Sequence, residues 1–115
     1  MIRVTTNRIL LLLLCCSCSL VAEEESGEQL FLANCAECHQ PDGQGIPNIY
    51  PALAGNETVL GSGVDVALVL RVGRGEMPSF KDSLSSDQLA SIINYVRNAW
   101  GNSGDTITAS TIESL

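Results

Sequence analysis

Apolar positions in the second half of the chain recur with helical spacing. Leu89, Ile92, Ile93, Val96 and Trp100 fall at i, i+3, i+4, i+7 and i+11, one stripe of an α-helix. Ser85-Ser86-Asp87-Gln88 ahead of the stripe has the form of a capping box, and Gly101 behind it is a natural stop. A second capping box, Ser26-Gly27-Glu28-Gln29, precedes Leu30, Phe31, Leu32 and Ala33 and predicts a helix running toward Cys38. Val64–Val72 predicts a shorter helix, closed by Gly73 and Gly75. From Gln40 to Gly63 the chain is broken by Pro41, Gly43, Gly45, Pro47, Pro51, Gly55, Gly61 and Gly63, which predicts one long loop. A loop of that length in a small domain is generally functional. Strand-type alternation is absent, so the pattern predicts an all-α protein of three main helices and loops. Asn102–Leu115 is polar and weakly patterned and is expected to be a surface tail.

The N-terminal stretch has a different character. Arg3 and Arg8 precede an apolar run from Ile9 to Leu14, then Cys15, Cys16 and Cys18, then the small residue Ala22. That is the form of a secretory signal, expected to occupy Met1–Ala22 and to be cleaved. The 14 uncharged residues of Ile9–Ala22 fall short of the roughly 20 that a spanning helix needs, so no transmembrane span is expected. Two readings of the leader cysteines stay open: Cys16 or Cys18 is the acylated first residue of a lipoprotein, or all three are apolar members of the leader. Cleavage removes Arg3 and Arg8 and no acidic residue, and so takes the formal charge from −7 to −9. A chain that acidic has little attraction for DNA, RNA or anionic lipid, which argues against a nucleic-acid partner.

The 93 residues from Glu23 onward hold two Phe, two Tyr and one Trp. So thin a core is marginal without a staple. Cys35 and Cys38 are the cysteines left, too few for a disulfide framework. They stand in Cys35-Ala36-Glu37-Cys38-His39, a C-x-x-C-H haem-attachment signature. Two thiols three positions apart at a helix end can each form a thioether to one haem vinyl group. The adjacent His39 then meets the iron from the same side. An exported chain agrees with this, because haem is attached covalently outside the cytoplasm in bacteria. Three other readings compete. A thioredoxin-like dithiol wants a βαβ context, which is not visible. A zinc site lacks a fourth Cys or His ligand. A plain disulfide would leave the one histidine without a role.

An electron-transfer haem prefers a sixth ligand, and the one methionine after the leader is Met77, 38 residues beyond His39. It sits in a loop between the Gly73/Gly75 turn and Phe80, followed by the stiffening Pro78. A lone Met is often core filler; here its place in a loop favours ligation. A thioether ligand favours Fe(II) and raises the potential relative to a second nitrogen ligand. If Met77 were unbound, the open iron could take peroxide, CO or NO, as in an enzyme or a gas sensor. Peroxidase chemistry is disfavoured because no second histidine exists to serve as distal acid–base.

From Gly27 to about Gly101 these residues resemble the class I c-type cytochromes. Gly27 and Phe31 look like that family's first helix, and Tyr95 like its aromatic partner on the last helix. Pro51-Ala52-Leu53-Ala54-Gly55, 12 residues past His39, resembles the family's proline loop. The resemblance implies that the Pro51 carbonyl accepts a hydrogen bond from His39 and that Leu53 packs on the haem face. Asp42-Gly43-Gln44-Gly45, Arg74–Phe80 and Trp100-Gly101-Asn102 are similar to cytochrome subunits of periplasmic quinoprotein dehydrogenases and to small cytochromes that serve terminal oxidases. By this resemblance the chain should be a class I cytochrome c fold, with a monohaem domain over residues 27–101 and a polar tail over 102–115. One haem c should be bound covalently through Cys35 and Cys38 and ligated by His39 and Met77. The protein should be a periplasmic or secreted one-electron carrier without catalytic residues of its own, free, lipid-anchored or a subunit, between a redox-protein donor such as a dehydrogenase and an acceptor such as a terminal oxidase. The four basic residues after the leader, Arg71, Arg74, Lys81 and Arg97, include three that flank the Met77 loop.

Overall fold

The computed structural model describes residues 19–115; the expected leader lies almost entirely outside them. Among the described residues six helices occur in order: α1 Gly27–Asn34, α2 Ala36–His39, α3 Glu57–Gly61, α4 Gly63–Val72, α5 Ser86–Val96 and α6 Ala109–Glu113. Among the described residues there is no named strand, only the isolated bridges Ile46↔Tyr50 and Arg74↔Met77.

Both capping boxes form. Ser26 accepts from the Gln29 amide at 3.2 Å while its own amide donates to the Gln29 side chain at 2.9 Å. Ser85 and Gln88 repeat the exchange at 3.2 and 3.0 Å. Each box satisfies donors that a helix start leaves open and sets where α1 and α5 begin. These two helices then cross at Gly27. A Cβ there would overlap the Ser91 carbonyl oxygen, so a residue without one lets the backbones approach. Phe31 is wholly buried at the crossing, its ring 5.5 Å from Tyr95 and 5.1 Å from Trp100.

The core falls into two clusters. On one side Leu30, Phe31, Ala36, Val59, Ile92 and Val96 pack together. On the other, Ala67, Leu70, Leu89 and Ile93 meet Ile107 and Ile112. The last pair corrects the expected surface tail. Ile112 is 2% exposed and Ile107 7%, and α6 lies against α5 and α4. Few apolar residues in a polar stretch leave no periodicity to read, yet two isoleucines suffice to close an aliphatic cluster. Directed bonds fix them there. The Asn94 side chain donates to the Ile107 carbonyl at 2.9 Å and accepts from the Ile107 amide at 2.8 Å, and Arg71 donates to the Ile112 carbonyl at 2.9 Å.

Two other elements differ from the pattern. The long loop contains α3, started by Asn56, whose side chain accepts from the amides of Thr58 and Val59. The stripe of α5 stops at Val96, and Trp100 lies beyond it with φ 53°. Trp100 has the helical spacing but not the helix. Its ring is drawn over Gly43, and Asn102 takes the Val96 carbonyl that a longer helix would have used.

Candidate functional site

α1 ends at Cys35, whose backbone (φ −125°, ψ −33°) leaves the helical region and starts the single turn α2. His39 closes that turn, its amide bonded to the Cys35 carbonyl at 3.0 Å. Cys35 and Cys38 are therefore one turn apart, and both are free thiols. Burial, and then the neighbouring Cys38, push the Cys35 thiol up to about 11. A redox dithiol of the thioredoxin kind works through a thiol with a lowered pKa. Cys35 is shifted the opposite way, and no βαβ setting occurs among the described residues.

His39 is 8% exposed. Its Nδ1 lies 2.9 Å from the Pro51 carbonyl oxygen, the contact that the family resemblance implied. A carbonyl oxygen only accepts, so Nδ1 carries the proton and, in the neutral ring, Nε2 keeps its lone pair. Nε2 makes no hydrogen bond among the described residues. That is the state of an imidazole ready to ligate a metal, with its ring orientation fixed from behind.

The loop that presents Pro51 is itself tied to the loop that leaves His39. The Gly45 amide donates to the His39 carbonyl at 2.8 Å, and the Gly43 carbonyl accepts from the Leu53 and Ala54 amides at 2.7 and 3.1 Å. Gly45, at φ 62°, lies so close to Tyr50 and Pro51 that a Cβ would overlap the Tyr50 carbonyl. Leu53 packs against the cluster that holds Cys35 and Phe31.

Met77, partly buried, packs against the other cluster, as do Phe80 and Leu84. It ends a tight turn in which Arg74 and Met77 exchange backbone bonds of 3.0 and 3.1 Å around Gly75, at φ 58°. The structure thus brings Cys35, Cys38, His39, Pro51 and Leu53 together and sets Met77 against the second apolar cluster. Leu84 packs against both. Two free thiols, an imidazole with a free Nε2 and a thioether on two apolar surfaces fit a covalently held haem. The same set lacks a fourth ligand for zinc, and no cluster of three or more metal-binding side chains occurs among the described residues.

Two residues were not read as part of a site. Tyr50 lies beside Cys38, whose charge and hydrogen bonding hold the phenol above the ordinary tyrosine range; its place directly before Pro51 was the available signal. Asn102 is 8% exposed and bonds to the Pro51–Gly55 loop, and its signal was the Trp100-Gly101-Asn102 motif itself. Of the basic residues near Met77, Arg71 is committed to Ile112, while Arg74 and Lys81 are exposed. No helix among the described residues is long and apolar enough to cross a membrane.

The family described as "Cytochrome C oxidase, cbb3-type, subunit III" matches residues 22–96. The alcohol dehydrogenase (quinone) cytochrome c subunit of Gluconobacter oxydans is 35% identical over 103 residues, covering 78% of this chain and 22% of that one. The chain thus spans about a fifth of the length of such subunits. Cytochrome c6 of Leptolyngbya boryana is 38% identical over 77 residues, 65% of this chain and 91% of its own. The crystal structure of cytochrome c6C from a Synechococcus species superimposes with a TM-score of 0.58 at 26% identity, covering 69% of this chain and all of that one.

Proposed function

The chain belongs to that cytochrome c family, among the class I c-type cytochromes, and we propose that it is a periplasmic one-electron carrier. In this reading Cys35 and Cys38 would hold haem c by thioethers, and His39, through Nε2, and Met77 would ligate the iron. The haem supplies a reversible Fe(III)/Fe(II) couple. The chain does the rest. The Pro51 carbonyl keeps the Nδ1 proton and the ring orientation of His39, Leu53 and the cluster behind it exclude water on the His39 side, and Phe80 and Leu84 do so on the Met77 side. The carrying observation is the pinned His39, with Nε2 free, one turn from two unpaired thiols. Dehydrogenase cytochrome subunits among the relatives support a donor of that class, with a terminal oxidase as acceptor.

The test is direct. Protein exported from a host that matures c-type cytochromes should gain the mass of one haem and give a haem-stained band that survives denaturation. The oxidised protein should show the weak charge-transfer band of iron–sulfur ligation. Met77→Ala should abolish that band and let the reduced protein bind CO, and Met77→His should keep six ligands and lower the reduction potential. An unchanged potential and spectrum in Met77→Ala would show that Met77 only packs.

A further inference from the structure

The Trp100-Gly101-Asn102 turn is not consumed by the function just proposed, yet it touches both loops that hold His39. The Asn102 amide is buried and fully engaged. Its Oδ1 accepts from the Gly55 amide at 2.8 Å, and its Nδ2 donates to the Leu53 carbonyl at 3.1 Å and to the Val96 carbonyl at 2.8 Å. One side chain thereby ties the end of α5 to the proline loop, two and four residues after the Pro51 that orients His39. Trp100 acts on the other loop. Its ring covers Gly43 so closely that a Cβ there would overlap it, and its Nε1 donates to the Pro41 carbonyl at 3.2 Å. Gly43 in turn holds Leu53 and Ala54. The left-handed backbone of Trp100 (φ 53°) and Gly101 (φ 84°) is what lets neighbouring side chains reach both loops. Such a conformation is costly for a tryptophan and persists only where the surroundings over-determine it.

We infer that Asn102, with Trp100, is a positioning residue for His39: it fixes the Pro51–Gly55 loop and so sets the strength of the hydrogen bond from His39 Nδ1 to the Pro51 carbonyl. This rests on His39 being the iron ligand. A strong bond there makes the imidazole more basic and favours Fe(III). Loosening the loop weakens it and shifts the couple toward Fe(II).

The experiment compares holo-protein variants. Asn102→Leu removes all three bonds at similar volume. Asn94→Leu removes an amide with two such bonds that clasps the tail instead, and controls for lost stability. Asn102→Leu should raise the Fe(II)/Fe(III) ratio at a fixed poise about threefold, roughly 28 mV for one electron. In a Met77→Ala background it should also lower the iron–histidine stretching frequency of the reduced haem. Asn94→Leu should move neither. If Asn102→Leu does not mature, Asn102→Ser decides: it adds no charge, is too short to bridge Gly55, Leu53 and Val96 together, and should shift both readouts the same way. Unchanged potential and stretching frequency in the Asn102 variant that matures, or equal shifts in Asn94→Leu, overturn the inference. A wild type without covalent haem, or with iron not bound to His39, overturns the proposed function and this inference together, and is seen before any variant is compared.

Discussion

The part of the molecule around α4, α5 and α6 and the part around α1, α2 and the loops over residues 40–55 are held by different forces. The first is aliphatic: Ala67, Leu70, Leu89 and Ile93 pack together, with Ile107 and Ile112 as their lid. Its stability comes from area removed from water, roughly 25 cal/mol per Å² of apolar surface, and needs no particular geometry. The second has fewer aliphatic side chains and more directed contacts. Phe31, Tyr95 and Trp100 form an aromatic triad with centroids 5.1–5.5 Å apart. Around it, His39, Gly43, Gly45 and Asn102 make bonds to backbone groups of neighbouring loops. A net contribution of about 1 kcal/mol per bond makes such a region precise rather than strong. It is the region that carries the attachment motif, so a covalent haem would supply the stability that its own side chains do not.

The largest effect should therefore come from removing the attachment. In Cys35→Ala/Cys38→Ala no covalent haem can form, and the chain should lose its cooperative thermal transition, with amide protection failing first in α1, α2 and the loops. Native-like helicity and a sharp melt in that variant would show that the directed contacts suffice without the cofactor.

Next is the crossing where the two regions meet. Gly27→Val forces a branched side chain against the Ser91 backbone, which cannot rotate away. Overpacking costs typically 1–3 kcal/mol, and a backbone obstacle places this variant near the top, at about 3 kcal/mol. Denaturant unfolding of the holo-protein measures it, and a wild-type midpoint would place the crossing elsewhere.

Ile112→Ala probes the lid of the aliphatic region. Buried Ile→Ala changes cost roughly 2–5 kcal/mol, and α6, a helix of five residues that can settle inward, should lie near 2. The potential should stay where it is, because the lid touches neither His39 nor the proline loop. A shifted potential with little loss of stability would reverse the roles assigned to the two regions.

How far each region could be read in advance depends on the same difference. Periodicity reports side chains that alternate between water and core, so the faces of α4 and α5 and both capping boxes were legible. The attachment motif was legible because its chemistry demands contiguous residues. Three things were not. The tail showed no pattern because it buries two isoleucines five positions apart. Trp100 matched the helical stripe but obeys a tertiary demand, its stacking on Gly43. Asn102 works through backbone carbonyls, Leu53 and Val96, and carbonyls carry no residue identity for a pattern to reveal.

The smallest effect concerns the field that a redox partner meets. The two regions differ here too: the aliphatic side carries Arg71, Arg74 and Lys81, while the chain as a whole has a formal charge of −7. The structure thins the basic cluster, since Arg71 is bonded to the Ile112 carbonyl. Arg97, the fourth basic residue after the leader, is buried against the Val59 and Asp105 carbonyls. Only Arg74 and Lys81 are left exposed near Met77, and two cations should not outweigh the whole acidic field at encounter distance. Small redox ions separate the two fields. Oxidation of the reduced protein by anionic hexacyanoferrate(III) should quicken as salt rises, and oxidation by cationic tris(phenanthroline)cobalt(III) should slow, on the scale of a Debye length of about 10 Å at 0.1 M. Arg74→Glu/Lys81→Glu should steepen both trends without changing their sign. If hexacyanoferrate(III) instead slows with salt in the wild type, and the double variant inverts that slope, the two exposed cations govern the approach to the Met77 side. The docking face would then be basic despite the acidic chain.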